Sequence, residues 1–112
     1  MKKNIILLGA LMLSSLAYSQ VGINNESPKA TLDVTAKTTD GSKPEGIIAP
    51  RLTGDQIKSA DTQYSTAQIG TIVYSTSASS DAGVAGKKTI NIDGAGYYYF
   101  DGSVWQKFGN GT

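Results

Sequence analysis

Asp55, Asp93 and Asp101 are side chains whose type could carry acid–base chemistry. Two carboxylates facing one another can hydrolyse a glycosidic bond, one as acid and the other as nucleophile or base. Their neighbours point to a different use. Asp93 and Asp101 each precede a glycine, and Asp before Gly forms turns by bonding the backbone that follows it. No D-x-[DN]-x-[DN]-G calcium loop is present. The sequence has no histidine and no cysteine, which excludes Ser-His-Asp and Cys-His catalysis and the usual zinc ligands. Gly83-Val84-Ala85-Gly86-Lys87-Lys88-Thr89 echoes a phosphate-binding loop, but Asp81 stands at its first glycine position and Lys88 where Ser or Thr is required. The expectation is a protein that is not an enzyme, with no catalytic, cofactor-binding or metal-ligating residue.

The other residues with something to offer are aromatic. Gly96 to Phe108 holds Tyr97, Tyr98 and Tyr99, the only tryptophan, Trp105, and both phenylalanines, Phe100 and Phe108. It reads as a β-hairpin turning at Asp101-Gly102, the dipeptide that most readily takes φ > 0. In an extended strand Tyr97 and Tyr99 share one face and Tyr98 and Phe100 the other. One face should be core. The other would display aromatic rings, either to a partner or sugar or buried in an oligomer. Tyr97, Tyr99 and Trp105 are the candidate interaction surface.

The elements that position this hairpin follow along the chain. Residues 1–19 read as a secretory signal peptide. Lys2 and Lys3 open it, Ile5 to Leu13 are apolar, and Ala17-Tyr18-Ser19 offers a cleavage site before Gln20. The apolar run is too short to span about 30 Å of hydrocarbon, so no membrane span is expected after cleavage. Cleavage removes 19 of 112 residues and leaves 93, one domain at most. Without Lys2 and Lys3, eight basic residues stand against nine acidic ones. A near-neutral chain carries no electrostatic case for nucleic acid. A chain of this length buries only about 60–65% of its unfolded surface. No cysteine is available to staple it, and self-association is a common remedy.

Residues 20–45 read as an N-terminal strand segment and polar loop. Val21 to Asn24 is one short strand. Ala30 to Val34 is another, with Ala30, Leu32 and Val34 alternating against Thr31 and Asp33. Leu32 and Val34 would be buried against other subunits or the C-terminal strands. Residues 46–112 read as a β-rich domain. Gly46 to Pro50 is a strand candidate that Pro50 ends. Thr53 and Gln56 have capping-box spacing and predict a short helix near 54–60 that buries Ile57. Ile69 to Ser75 and Lys88 to Ile92 are further strands, joined by a Ser/Ala/Gly-rich loop. The fold class is mainly β: an antiparallel meander with an aromatic C-terminal hairpin, short N-terminal strands and one short helix.

Four segments resemble a known group of proteins. Val21-Gly22-Ile23-Asn24, Pro28 and Ala30-Thr31-Leu32-Asp33-Val34 are similar to a segment that opens many secreted and surface proteins of Bacteroidota, with related forms in phage tail fibres. Gly46 to Thr53 resembles their G-I-x-x-P-R-L-T segment, Gly70 to Tyr74 their G-x-L-V-Y strand, and Gly96 to Trp105 their G-Y-Y-Y-F-D-G-S-x-W ending. The resemblance implies a fibre-like or cell-surface module, trimeric in the tail-fibre comparison, and no catalytic residue.

Two expectations follow. The first is an exported, non-catalytic structural module, fibre- or adhesin-like, that self-associates, with a trimer favoured. It would be extracellular, on the cell surface or periplasmic. The second is a monomeric module that binds a surface glycan or protein through Tyr97, Tyr99 and Trp105.

Overall fold

The computed structural model describes residues 20–109, so the signal-peptide reading of residues 1–19 lies outside the described residues. The chain divides into two compact units, Met1–Gly46 and Ile47–Thr112. The described residues are mainly β, with one short α-helix and an aromatic hairpin last in the chain. Among them no helix is long and apolar enough to cross a membrane.

The first unit holds β1 (Val21–Ile23) and β2 (Leu32–Val34). They pair in parallel, with Val21 opposite Leu32 and Ile23 opposite Val34. Asn24 takes φ 57° where the chain leaves β1. The connection then folds back over one face of the pair. The Asn25 side-chain amide and the Lys29 N–H both donate to Asp33 Oδ2, each at 2.8 Å. A Cβ added at Gly22 would meet Pro28 Cγ at 3.3 Å and collide with the Asn25 carbonyl oxygen. Only glycine therefore fits beneath that loop. No residue from Gln20 to Gly46 is buried.

The second unit is built on a four-stranded sheet in the order β3 (Arg51–Leu52), β4 (Ile72–Ser75), β5 (Gly96–Phe100), β6 (Trp105–Lys107). β3 runs parallel to β4, while β4–β5 and β5–β6 are antiparallel. Helix α1 (Gly54–Ser59) begins where the capping box places it. Thr53 Oγ1 accepts from the Gln56 N–H at 3.1 Å, and Gln56 Oε1 accepts from the Thr53 N–H at 2.8 Å. Two orphan donors of the first turn are thus satisfied reciprocally. The helix presses Ile57 into a core of Val73, Ile92, Tyr98, Phe100 and Trp105, with Leu52 and Tyr64 partly buried against it. Two 3-10 turns, Asp61–Gln63 and Thr66–Gln68, carry the chain from α1 to β4.

Three expectations change. Ile47 and Ile48 are exposed and belong to no strand; the paired residues are Arg51 and Leu52, beyond Pro50. Proline lacks the N–H a ladder needs, but the Pro50 carbonyl accepts from the Tyr74 N–H at 2.9 Å and so leads into the ladder. Lys88 to Ile92 is not a strand. β4 pairs directly with β5, which leaves no slot for it. The segment winds through consecutive turns instead, with Ile90 N–H donating to Lys87 O and Ile92 N–H to Thr89 O. Its carbonyls find other partners: Lys88 O accepts from Trp105 N–H, Ile90 O from Gly83 N–H and Ile92 O from Ser79 N–H. The residues it buries, Thr89 and Ile92, lie three apart, the spacing of a turn and not of an alternating strand. Finally, the hairpin closes through Asp101 to Val104, with Phe100 opposite Trp105, not through a two-residue turn.

Candidate functional site

Strand alternation sorts the sheet's side chains onto two faces. Val73, Ser75, Tyr98, Phe100 and Trp105 point inward and are buried. The register places Ile72, Tyr74, Tyr97, Tyr99, Gln106 and Phe108 on the other face. There, Ile72 lies opposite Tyr99 and Tyr74 opposite Tyr97. Phe108 follows β6, and its N–H donates to the Tyr97 carbonyl at 2.9 Å.

These rings form a continuous cluster. Tyr74 and Tyr97 meet edge to face at 4.9 Å and 71°. Tyr99 and Phe108 do the same at 5.5 Å and 71°, and Tyr97 and Phe108 lie at 6.3 Å. Such geometry suits the ring quadrupoles, and cross-strand aromatic pairs stabilise a sheet face. The register of β3 also puts Arg51, opposite Tyr74, on this face, so it carries one guanidinium beside the tyrosine hydroxyls. At one edge Ile48, Arg51, Tyr74, Thr76 and Tyr97 line an open depression of about 350 Å³. That volume is near the lower end for small-molecule sites.

Of the three residues singled out from the sequence, the structure brings Tyr97 and Tyr99 together on this exposed face, each 39% exposed. It places Trp105 on the opposite face, fully buried. The Trp105 ring lies 5.4 Å from Phe100 and 4.8 Å, edge-on, from Tyr64. Trp105 therefore supports the face from behind. Sequence reasoning missed Ile72, Tyr74 and Phe108 as members of the cluster. The alternation in Ile72-Val73-Tyr74 hinted at a shared side, but only the pairing register shows which hairpin residues that side meets.

The carboxylates are committed to structure. Asp101 Oδ1 accepts from the Ser103 and Val104 N–H groups, both at 2.8 Å, and Oδ2 from the Gln106 amide at 2.9 Å. The Val104 N–H, then the Gln106 amide and the Ser103 N–H, hold its carboxyl below the usual carboxylate range. Asp55 accepts from the Ser80 N–H at 2.8 Å, which lowers it likewise. Asp93 is lowered chiefly by Lys107, whose ammonium lies 3.1 Å away and is itself raised by that bond. The Tyr98 hydroxyl donates to the Gly94 carbonyl at 2.8 Å, and burial pushes it up. A general acid needs a carboxyl held high, and the shifts of Asp55, Asp93 and Asp101 run the other way. Among the described residues no cluster of His, Cys, Asp or Glu is arranged to hold a metal ion.

What the geometry offers among the described residues is an exposed aromatic surface. No curated protein and no solved structure matches the chain. A family model does: that of the phage tail like trimerisation region, over residues 21–112. It spans both units, from the first residue of β1 onward. With a match over nearly all of its described length, the chain belongs to the phage tail like trimerisation region family.

Proposed function

We propose that this protein is a non-catalytic, fibre-like structural module that works as a homotrimer outside the cytoplasm. Membership of a trimerisation family is the observation that carries the oligomeric state. The balance of buried and exposed side chains supports it. Among the described residues six hydrophobic side chains are buried and twelve large ones are exposed. Those residues leave more large apolar side chains exposed than they fully bury. Trimerisation would cover part of that surface and stabilise a chain that has no disulfide. The leader-like composition of Met1 to Ser19 and the likeness to surface proteins of Bacteroidota support an exported location, at the cell surface, outside the cell or in the periplasm.

The test is absolute mass by light scattering on a sizing column, repeated across concentration. The mass of three chains, with a melting temperature that rises with protein concentration, is the expected outcome. A folded single chain at all concentrations sinks the reading.

A second reading rests on the exposed pair Tyr97 and Tyr99. An aromatic face beside an open depression lined by Arg51 suits stacking against a sugar ring or docking on a surface protein. Tyrosine fluorescence titrated with a panel of glycans tests it, and no response across the panel removes the glycan form of the reading.

A further inference from the structure

The two units differ in one physical respect. The sheet of the second unit has a core of its own, with Trp105, Tyr98, Phe100 and Ile57 fully buried. Among its described residues, Gln20 to Gly46, the first unit has no buried one, yet it contains a parallel strand pair. Two strands alone are marginal in water, and parallel pairs occur almost only where both faces are covered.

One face of the β1–β2 pair is covered by its own connection. Gly22 lies under Asn25 and Pro28, and Asp33 accepts from Asn25 and Lys29. The register puts Val21, Ile23, Leu32 and Val34 together on the other face. They are 51%, 47%, 53% and 36% exposed. The result is a four-residue, wholly aliphatic face that no described residue of its own unit covers, on a strand pair that needs cover to persist.

We propose that this face, Val21, Ile23, Leu32 and Val34, is the seam of the trimer, closed by the same face of two further copies of the chain. The inference rests on the trimeric reading above and adds where the contact lies. A side chain close to a three-fold axis meets its own two counterparts, so a charge there meets like charges. The aliphatic face carries none. Its one acidic strand residue, Asp33, is turned to the loop side and bonded there. The family match begins at Val21, so the strand pair lies within the trimerisation region. The match runs on to residue 112 and takes in the aromatic face of the second unit as well, so a variant of that face serves as the comparison.

The experiment uses the full chain. Wild type is compared with Ile23→Asp/Leu32→Asp and with Tyr97→Ser/Tyr99→Ser by light scattering, with near-ultraviolet circular dichroism reporting the Trp105 core. The expected result is the mass of three chains for wild type and for the tyrosine variant. The aspartate variant should fall to the mass of one chain with the Trp105 signal kept. A wild type of one chain overturns the trimeric reading and the seam together. A trimeric wild type whose aspartate variant stays trimeric overturns the seam alone. Should the aspartate variant lose the Trp105 signal, a second pair decides. The chain has no cysteine, so Ile23→Cys can form a disulfide only between copies. Under mild oxidation Ile23→Cys should give a covalent dimer band and Tyr99→Cys none. Absence of that band from a trimeric Ile23→Cys protein overturns the seam.

Discussion

Gly54 sits so close to Ala78 that a Cβ added to it would stand 2.6 Å from the Ala78 carbonyl oxygen. The neighbouring Ser79 N would be nearer still. The first residue of α1 and the loop after β4 thus touch backbone to backbone. Ser77 Oγ also accepts from the Gly54 N–H at 3.3 Å. This contact fastens the helix to the long loop that covers the inner face of the sheet.

Gly54→Ala should therefore destabilise the protein, although alanine is the better helix former. The helix preference for Ala over Gly is about 1 kcal/mol. Forcing a methyl against fixed backbone costs about 1–3 kcal/mol, and here the atoms met are backbone and cannot rotate away. A lower urea midpoint at unchanged slope is expected. A higher midpoint would show that the loop yields.

Trp105→Ala and Tyr99→Ala should separate the two faces of one hairpin. Trp105 is fully buried, and its truncation should cost about 3–5 kcal/mol. Tyr99 is well exposed within the chain, and its truncation should change the stability of the second unit by less than about 1 kcal/mol. Chemical denaturation followed by near-ultraviolet circular dichroism measures both. Similar losses would mean that the Tyr99 face is also covered in solution.

Lys88 pins the loop to the turn after α1. Its ammonium donates to the Asp61 carbonyl at 2.6 Å and to the Tyr64 carbonyl at 2.8 Å. Lys88→Met keeps much of the stem and removes both bonds. A loss of about 1.5–3 kcal/mol is expected, the range for hydrogen bonds to a charged group. Faster amide exchange from Lys87 to Ile92 should accompany it. Unchanged exchange there would refute the pinning role.

The stability of the hairpin turn should fall in acid. The folded state holds the Asp101 carboxyl below its ordinary value, through the Val104 N–H first and then Gln106 and Ser103. A group depressed on folding contributes stability above its unfolded pKa of about 4 and loses it as pH falls through the lower folded value. Asp101→Asn keeps an acceptor for the turn but not the charge. Its melting temperature should lie below wild type at pH 6 and converge with it near pH 2. A constant gap across that range would show that the charge is not what the turn uses. Asp55 and Asp93 are depressed too and should steepen the acid limb of the wild type in the same direction.

How much of this was legible in the residues varied with the range of the interaction. Thr53 and Gln56 announce α1 because a capping box is satisfied within four residues. Leu32 to Val34 announces a strand by alternation, and Ile72 to Tyr74 and Tyr97 to Phe100 by their β-branched and aromatic content, each a property of the segment alone. The absence of histidine and cysteine likewise excludes Ser-His-Asp and Cys-His catalysis without reference to any contact. Register is different. Whether Val21 shares a face with Leu32, or Tyr74 with Tyr97, depends on which backbone groups pair across the chain, and several pairings satisfy the same pattern. Lys88 to Ile92 alternates as a strand would, yet β5 already occupies the edge of β4, so its carbonyls bond to Trp105, Gly83 and Ser79 instead. Trp105 and Tyr99 are both aromatic and both on one hairpin. Only the tertiary structure puts one in the core and leaves the other in water, because burial is decided by what packs over a face and not by the residue that stands on it.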